Sequence, residues 1–430
     1  MKKASVLYII LLTLTLSAGT IYADKTSSQP LCWKFDFGTD LAAEGCQAVT
    51  PDTLYASQNG FGFLPGADIA AGTRNTDDPL LGDFCGSEKP FLFSLDVPQE
   101  GNYRVTLTCG RNKPSTIVLR AESRRLMLEN IEIHPDIPRT CTVVVNVRNS
   151  KLPDGRSVKL KARETDAFHW DNALTLEFNG QNPAVCAMRV EKADDLPTIF
   201  LAGDSTVTDQ TREPWTSWGQ MLPRFFKPVV AIANYAESGE TLSSFIGERR
   251  LEKLLTQMKP GDYLFVQFAH NDMKRGTPRQ VGYQDSLRHF ITEARRCGAH
   301  PVLVTSMHRR RFDDNGKVID TMQGFPEAMK DVAIEQNVPL IDLHAMSRLL
   351  YEAWGPDASA AAFVDGTHHN AYGAYELAKC VVEGIRLNIP EVAAWLTEDV
   401  LPFDPARPDP PETFTLPASP MWSDIKPEGS

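Results

Sequence analysis

The stretch IFLAGDSTVTDQ, residues 199–210, begins as an unbroken apolar run and stops abruptly at Gly203-Asp204-Ser205. A short apolar run without alternation is typical of a strand that is buried on both faces of a parallel sheet. Glycine permits a sharp turn after such a strand, and a small hydroxyl or carboxylate residue caps a following helix. The same turn can also present Ser205 as a nucleophile, so residues elsewhere in the chain have to decide between a cap and a catalytic role.

Four more apolar runs follow the first one, and segments with helical spacing separate them. The five predicted strands are Thr198 to Ala202, Val229 to Asn234, Tyr263 to Phe268, Pro301 to Thr305 and Val338 to Leu343. Strands that alternate with helices predict a parallel sheet with helices on both faces. We therefore expect residues 196–395 to form a doubly wound α/β domain with a five-stranded parallel sheet, whose chemistry lies beyond the carboxyl ends of the strands.

The first half of the chain has a different period. From Cys32 to Val190 apolar and polar residues tend to alternate, as in Tyr103–Cys109, and turn-forming residues separate the runs. Alternation with little helical spacing predicts half-buried antiparallel strands in an all-β, jelly-roll-like sandwich. We assign this domain to residues 24–195. The Pro- and Asp-rich segment 396–430 is expected to be a C-terminal arm that either wraps the body or is disordered.

Length and composition indicate an exported globular protein. The chain has 430 residues, too many for one ordinary domain, of which 42% are hydrophobic and 23% charged. Residues 1–23 run from two lysines through an apolar stretch to small residues, which is the layout of a signal peptide. No later segment approaches the ~20 apolar residues of a membrane span. We expect a soluble periplasmic or secreted protein without membrane insertion, and its oligomeric state stays open.

Charge and cysteine spacing argue against other classes of protein. Removal of the signal peptide takes away two lysines and no acids, so the formal net charge moves from −11 to −13 (−11 minus 2), which disfavours nucleic-acid binding. The eight cysteines are widely and irregularly spaced, without a Cys-x-x-Cys pair, and no His-Glu-x-x-His run is present. We therefore expect no metal and no cofactor. Any disulfide is expected in the first domain, with its pairing open.

Each predicted strand of the second half ends on polar residues. These are Asp204 and Ser205 after the first strand, Ser238 and Gly239 after the second, His270 to Asp272 after the third, His308 to Arg311 after the fourth, and Asp365 to His368 in the loop that follows the fifth. Any one of these groups is ordinary turn material. Five groups at one edge of a sheet predict a functional site there.

The polar groups supply the parts of a serine hydrolase. The hydroxyl of Ser205 needs a base within hydrogen-bond reach, and His368 fits that role with Asp365 holding its Nδ1 proton. The alternative is that Asp365 only caps the helix that starts near Asn370. Acyl transfer also needs donors for a developing oxyanion. We predict that the N–H groups of Ser205 and Gly239 and the amide of Asn271 provide them.

The ordered motifs resemble those of a known superfamily, the SGNH (GDSL-type) hydrolases. The residues that carry the resemblance are GDS (203–205), Gly239, Asn271 and DGTH (365–368). Their contexts NYAESG (234–239), HND (270–272), RRRF (309–312) and DGTHHN (365–370) are most similar to rhamnogalacturonan acetylesterases. In the first half, FDFG (35–38), GFGF (60–63) and GNY (101–103) resemble the galactose-binding-like β-sandwich of some bacterial members. One position departs from the pattern, because Ala269 stands where the superfamily usually has glycine.

The resemblance implies that the chain removes acetyl groups from the galacturonate-containing pectic polymer rhamnogalacturonan. A strongly acidic protein repels a polyanion and needs a basic patch where it docks. We predict that His270, Arg309 and Arg310 bind substrate, because a guanidinium pairs bidentately with a carboxylate. The alternative is that these arginines form surface ion pairs with the adjacent Asp313 and Asp314.

Other functions stay open at this stage. The ester could belong to acetylated xylan, whereas a lipid fits less well because the strand-end loops are polar and basic. A non-catalytic carbohydrate-binding protein is the alternative from another class. For the first domain we favour a role as one wall of the catalytic cleft over independent sugar binding, because no aromatic platform is evident in its sequence.

Overall fold

A computed structural model gives the structure of residues 31–39, 41–135 and 137–423. The predicted signal peptide, residues 1–23, lies outside these ranges, so export stays a prediction. Within these ranges, no helix combines the length and the apolar character needed to cross a membrane.

The described residues contain strands in both halves of the chain and helices mainly in the second. The strands are β1 (Cys32–Phe37), β2 (Gln47–Val49), β3 (Phe61–Phe63), β4 (Ala70–Thr73), β5 (Asp83–Gly86), β6 (Phe91–Asp96), β7 (Gly101–Cys109), β8 (Ser115–Ala121), β9 (Arg125–Ile133), β10 (Arg139–Val147), β11 (Ala173–Asn179), β12 (Ala184–Val185), β13 (Ala187–Lys192), β14 (Thr198–Gly203), β15 (Ala231–Asn234), β16 (Tyr263–Gln267), β17 (His300–Val304) and β18 (Leu340–Ile341). The α-helices are α1 (Trp218–Met221), α2 (Leu242–Gly247), α3 (Arg250–Gln257), α4 (Tyr283–Arg296), α5 (Phe325–Gln336), α6 (Leu343–Ala358), α7 (Ala371–Asn388) and α8 (Pro390–Ala393).

The second half contains the parallel strands that its sequence predicts. They lie in the order β18-β17-β16-β14-β15, and each neighbouring pair is parallel. Alternate residues of β14 enter two different hydrophobic cores. Ile199 and Leu201 pack in the core that includes α7, whereas Phe200 and Ala202 pack in the core that includes α4. Burial on both faces explains why this strand is apolar throughout.

The parallel strands do not form a separate sheet. At Val145 and Ile232, β10 pairs in parallel with β15, and the sheet continues through β7, β13, β1 and β2 to ten strands. The expectation of a self-contained five-stranded sheet is therefore incomplete. The reason is physical, because an uncovered β15 would leave a row of backbone donors and acceptors without partners. The predicted boundary at residues 195–196 lies in the short connection between β13 and β14 of this one sheet.

The first half adds a second sheet in the order β3-β6-β11-β8-β9. Its apolar side chains share one core with those of the large sheet. Phe93 and Leu119 from the second sheet, for example, belong to the same buried cluster as Val105 and Val190 from the large one. The resemblance of this half to galactose-binding-like domains stays a prediction.

The turn between β8 and β9 reaches into the second half. Arg125 forms a buried ion pair with Asp209, with 2.6 Å between Nε and Oδ2. The neighbouring Arg124 donates to the carbonyl oxygens of Gln210 and Trp215 at 3.1 and 3.0 Å. These contacts tie the first half to the loop that directly follows the Gly-Asp-Ser turn.

The C-terminal segment wraps the body as far as residue 423. Asn179 on β11 donates to the carbonyl of Ala418 at 2.9 Å, and the hydroxyl of Ser419 donates to Glu177 at 2.6 Å. The Ser419 N–H also donates to the Glu213 carboxylate at 3.0 Å. The part of the C-terminal arm that the structure describes therefore wraps the body, which is one of the two alternatives left open by the sequence.

All eight cysteines lie in the described residues, and all are free thiols. The structure therefore contains no disulfide between these cysteines, in the first domain or elsewhere.

Candidate active site

The Gly-Asp-Ser turn holds Ser205 at the carboxyl end of β14. The carbonyl of Asp204 accepts from the N–H groups of Val207 and Thr208 at 3.0 and 3.1 Å. The Asp204 carboxylate accepts from the N–H and the hydroxyl of Thr206 at 3.0 and 2.7 Å. These bonds close a tight turn, which fixes the backbone position of Ser205. The residue is buried, with 3% of its surface exposed.

Three distant side chains meet at this turn. His368 Nε2 lies 2.9 Å from Ser205 Oγ. On the other side of the ring, His368 Nδ1 lies 3.1 and 3.0 Å from the two oxygens of the Asp365 carboxylate. A carboxylate accepts, so Nδ1 carries the hydrogen and Nε2 is left to accept from the serine hydroxyl. This arrangement can remove a proton from Ser205 and return it to a leaving group.

Asp365 is held in its ionised form. Burial by itself raises the pKa of its carboxyl, but hydrogen bonds from the His368 ring and from the N–H groups of Thr367 and His368 outweigh burial and leave the pKa below its ordinary value. The alternative role as a helix cap does not apply. Asn370 caps α7 instead, since its side chain accepts from the Gly373 N–H at 3.1 Å.

The predicted oxyanion donors lie on neighbouring loops. Asn271 Nδ2 donates to the carbonyl of Glu240 at 3.0 Å, which ties the asparagine to the loop of Gly239. Lys274 donates to the Asn271 side-chain oxygen at 3.1 Å, so the amide nitrogen is oriented towards Glu240. Among the described residues, the N–H groups of Ser205 and Gly239 form no hydrogen bond. Both are available to a ligand oxygen.

Two residues of the loop after Ser205 also contact the site, and the sequence analysis missed them. Gln210 donates from its side chain to the Ser205 carbonyl at 2.8 Å. The Trp215 ring packs edge to face on His368, with 5.7 Å between ring centroids. Polar residues were selected from the sequence where they follow a predicted strand. Gln210 and Trp215 do not follow a strand directly, so this criterion does not select them.

His270 is buried beside the site. Only 2% of the residue is exposed, and neither ring nitrogen has a hydrogen-bond partner among the described residues. Burial lowers the pKa of this imidazole well below its ordinary value, and the positive charge of Arg309 lowers it further. The ring is therefore neutral, and whether it touches substrate stays a prediction.

The arginines after β17 separate into two environments. Arg309 is half-buried next to His270, where its Nη2 lies 3.4 Å from the His270 carbonyl and its Nε has no partner among the described residues. Arg310 points elsewhere, because its guanidinium donates to the Ser359 hydroxyl at 2.9 Å and to the Pro356 carbonyl at 2.7 Å. Of the two arginines that the sequence assigns to substrate, Arg309 is the one whose guanidinium lies next to His270 and has a buried N–H group without a partner among the described residues.

Two groups of possible metal ligands occur in the described part of the chain. The sequence did not reveal them, because each group includes a residue that is distant from the others along the chain. In the first, Glu164, His169 and Glu237, arginines already pair with both carboxylates. In the second, His308, Asp320 and His344, the two rings stack with centroids 3.7 Å apart and planes 16° from parallel. Lone pairs in parallel rings do not converge on one ion, so neither group is shaped as a metal site.

Asp272 is expected to make the stability of the protein depend on pH. Burial raises the pKa of its carboxyl to about 7, although the Leu242 N–H works in the opposite direction. The unfolded chain releases this proton near pH 4, so between about pH 4 and 7 the folded protein binds more protons than the unfolded chain. The free energy of unfolding therefore falls by on the order of 1.4 kcal/mol per pH unit as the pH rises through this window.

Asp272→Asn should remove this part of the pH dependence, as measured by urea unfolding at several pH values between 4 and 8. Asp314→Asn is the matched control, because Asp314 is exposed. A stability difference between Asp272→Asn and the wild type that stays constant with pH would contradict the prediction.

Comparison with known proteins gives a family match that includes this site, and several similar proteins. The sequence model of the GDSL-like Lipase/Acylhydrolase family matches residues 201–375. Rhamnogalacturonan acetylesterase RhgT of Bacillus subtilis is 44% identical over 44% of this chain and 88% of its own length. A rhamnogalacturonan acetylesterase of Emericella nidulans is 35% identical over 44% of this chain and 87% of its own length. The uncharacterized esterase YxiM of Bacillus subtilis is 23% identical, but over 84% of this chain and 92% of its own length.

Proposed function

Because the chain belongs to the GDSL-like lipase/acylhydrolase family, we propose that it removes acetyl groups from rhamnogalacturonan. The chain is a serine carboxylic ester hydrolase. The observation that carries the proposal is the hydrogen-bonded series from Ser205 through His368 to Asp365, with the guanidinium of Arg309 close by.

In the proposed reaction, Ser205 Oγ attacks the carbonyl carbon of the acetyl ester while His368 Nε2 takes the hydroxyl proton. Asp365 stabilises the imidazolium that forms. The N–H groups of Ser205 and Gly239 and the amide of Asn271 donate to the oxyanion. The bond from carbon to the sugar oxygen then breaks, and His368 returns the proton to that oxygen. Water then attacks the carbonyl carbon of the acetyl-serine while His368 Nε2 takes one of its protons. The bond from that carbon to Ser205 Oγ breaks, His368 returns the proton to Oγ, and the acetic acid leaves as acetate.

Two features support a pectic substrate. Relatives named rhamnogalacturonan acetylesterases match a large part of their own length to this chain. In addition, a chain of net charge −11 needs local positive charge to hold a galacturonate carboxylate, and Arg309 offers a guanidinium that is only partly used by the protein. Acetate release from acetylated rhamnogalacturonan, acetylated xylan and an aryl acetate tests the proposal. A preference for the xylan would contradict it.

Replacing Arg309 by alanine is expected to lower kcat/KM on acetylated rhamnogalacturonan by about 10- to 100-fold, because a charge-assisted contact contributes about 1.5 to 3 kcal/mol. Turnover of a neutral aryl acetate should change less than threefold, or about 0.7 kcal/mol.

Arg310→Ala is the matched control, because it removes the same charge at the next position in the sequence. The guanidinium of Arg310 bonds to Ser359 and Pro356 within the protein. Both substrates should be affected equally by this change. Equal losses on the two substrates in Arg309→Ala would count against a role in binding the carboxylate.

A further inference from the structure

The peptide group between Ser238 and Gly239 is bonded at its carbonyl end by two cations. Lys161 Nζ lies 2.5 Å and Arg163 Nη2 lies 2.6 Å from the Ser238 carbonyl oxygen. The nitrogen of this same peptide group is that of Gly239, whose N–H makes no hydrogen bond among the described residues. One end of the amide is therefore held by the protein, and the other is left for a ligand.

Both cations come from the first half of the chain. They belong to a segment around the short 3-10 helix Ala162–Glu164, which packs beside the loop of Gly239. The Arg163 guanidinium also pairs with the buried Glu237 at 2.5 Å, and Lys161 pairs with the buried Glu240 at 2.5 Å. The two carboxylates hold the cations in place on either side of the peptide that they contact.

The arrangement acts on the peptide in two ways. Gly239 has a φ of 80°, which glycine adopts without strain, and a glycine in such a turn also allows the preceding peptide group to rotate. Two charged donors on the carbonyl oppose that rotation, because it would leave them without their acceptor. Hydrogen bonds to a carbonyl also polarise the amide, so its N–H becomes a stronger donor.

We propose that Lys161 and Arg163 are positioning residues that hold the Gly239 N–H towards the oxyanion and strengthen it as a donor. This inference rests on the acyl-transfer mechanism proposed above and not on the identity of the sugar. It gives the first half of the chain a direct part in the reaction, beyond the support of a cleft wall. Preorganised donors of this kind stabilise a transition state more than a bound ester, so their loss lowers kcat and leaves KM nearly unchanged.

The test uses the full chain with an aryl acetate and with the corresponding thionoester. Sulfur accepts hydrogen bonds weakly, so the thionoester gains less from an oxyanion donor than the oxygen ester does. Lys161→Met and Arg163→Met remove the donors and keep most of each apolar stem. Lys159→Met is the matched control, because it removes an exposed lysine of the same segment. Lys161→Arg keeps a cationic donor, and Ser205→Ala checks the mechanism itself.

We expect each of the two methionine variants to lower kcat on the oxygen ester by about tenfold, less than the 10²- to 10³-fold loss of an oxyanion donor itself. KM should stay within about twofold, the loss on the thionoester should be smaller, and Lys161→Arg should recover most of the rate. Lys159→Met should behave as the wild type.

Three results would overturn the inference and assign the two cations to folding only. They are an equal fall in kcat on the two esters, a rise in KM without a change in kcat, and the same fall in kcat in Lys159→Met. If the methionine variants keep the wild-type rate while Ser205→Ala is inactive, this inference fails and the proposed mechanism stands. If Ser205→Ala keeps the wild-type rate, both fail.

Discussion

Replacing Ser205 by alanine is expected to lower kcat on an aryl acetate and on acetylated rhamnogalacturonan by about 10⁴- to 10⁶-fold. The variant lacks the oxygen that forms the acyl-enzyme, and among the residues that the structure describes no other hydroxyl lies within hydrogen-bond distance of His368 Nε2. The fold should be kept, because the change removes one oxygen atom and the turn is held by bonds of Asp204. Stopped assays with both substrates at the same protein concentration measure the effect.

Two further variants make this test specific. His368→Ala should cause a loss of similar size, and the double variant should be no slower than Ser205→Ala alone, because the two side chains act as one unit. Ser306→Ala is the matched control, since Ser306 is a buried serine at the end of another strand and its hydroxyl has no partner among the described residues. Additive losses in the double variant would show that Ser205 and His368 do not act together.

Residues 196–430 produced without the first half are expected to be insoluble or unfolded, and inactive. Their separation exposes the edge of β15 that pairs with β10, which is a site for aggregation. It also removes the partner of the buried Asp209, and breaking a buried ion pair costs about 3 to 5 kcal/mol. That loss is a large part of the 5 to 15 kcal/mol by which proteins are typically stable. Solubility, circular dichroism and aryl acetate turnover measure the outcome.

The full chain produced in parallel is the control for the shortened one. A point variant of the full chain, Arg125→Leu, should show the same effect in milder form, as a lower unfolding midpoint in urea with the fold retained. A soluble fragment 196–430 with the turnover of the full chain would refute the expectation, and with it the role of the first half as a wall of the catalytic site.

Local sequence patterns were sufficient to place several polar residues of the site at one edge of the sheet. Each parallel strand is recognisable from its unbroken apolar run, and parallel strands end at the same edge of a sheet. Asp204, His270, Asn271 and Arg309 each follow such a run within a few residues. Their distance along the chain is large, but the sheet brings them together without any further information.

Sequence patterns do not predict a contact that depends on the direction of a side chain or on the path of a loop. Arg309 and Arg310 are adjacent in sequence, yet one lies beside His270 and the other bonds to Ser359 and Pro356. Trp215 contacts His368 from a loop whose path is set by contacts with Arg124. Composition and periodicity carry no signal for either outcome.

The sequence by itself determined the parallel strands, the position of Ser205 at a sharp turn and the pairing of Asp365 with His368, since each follows from short-range backbone and side-chain preferences. Only the tertiary structure decided that β10 continues the sheet beyond β15 and that Lys161 and Arg163 contact the Ser238 carbonyl. Such contacts join segments roughly 80 residues apart, and their energy depends on burial and on hydrogen-bond geometry in the folded state, which no local pattern encodes.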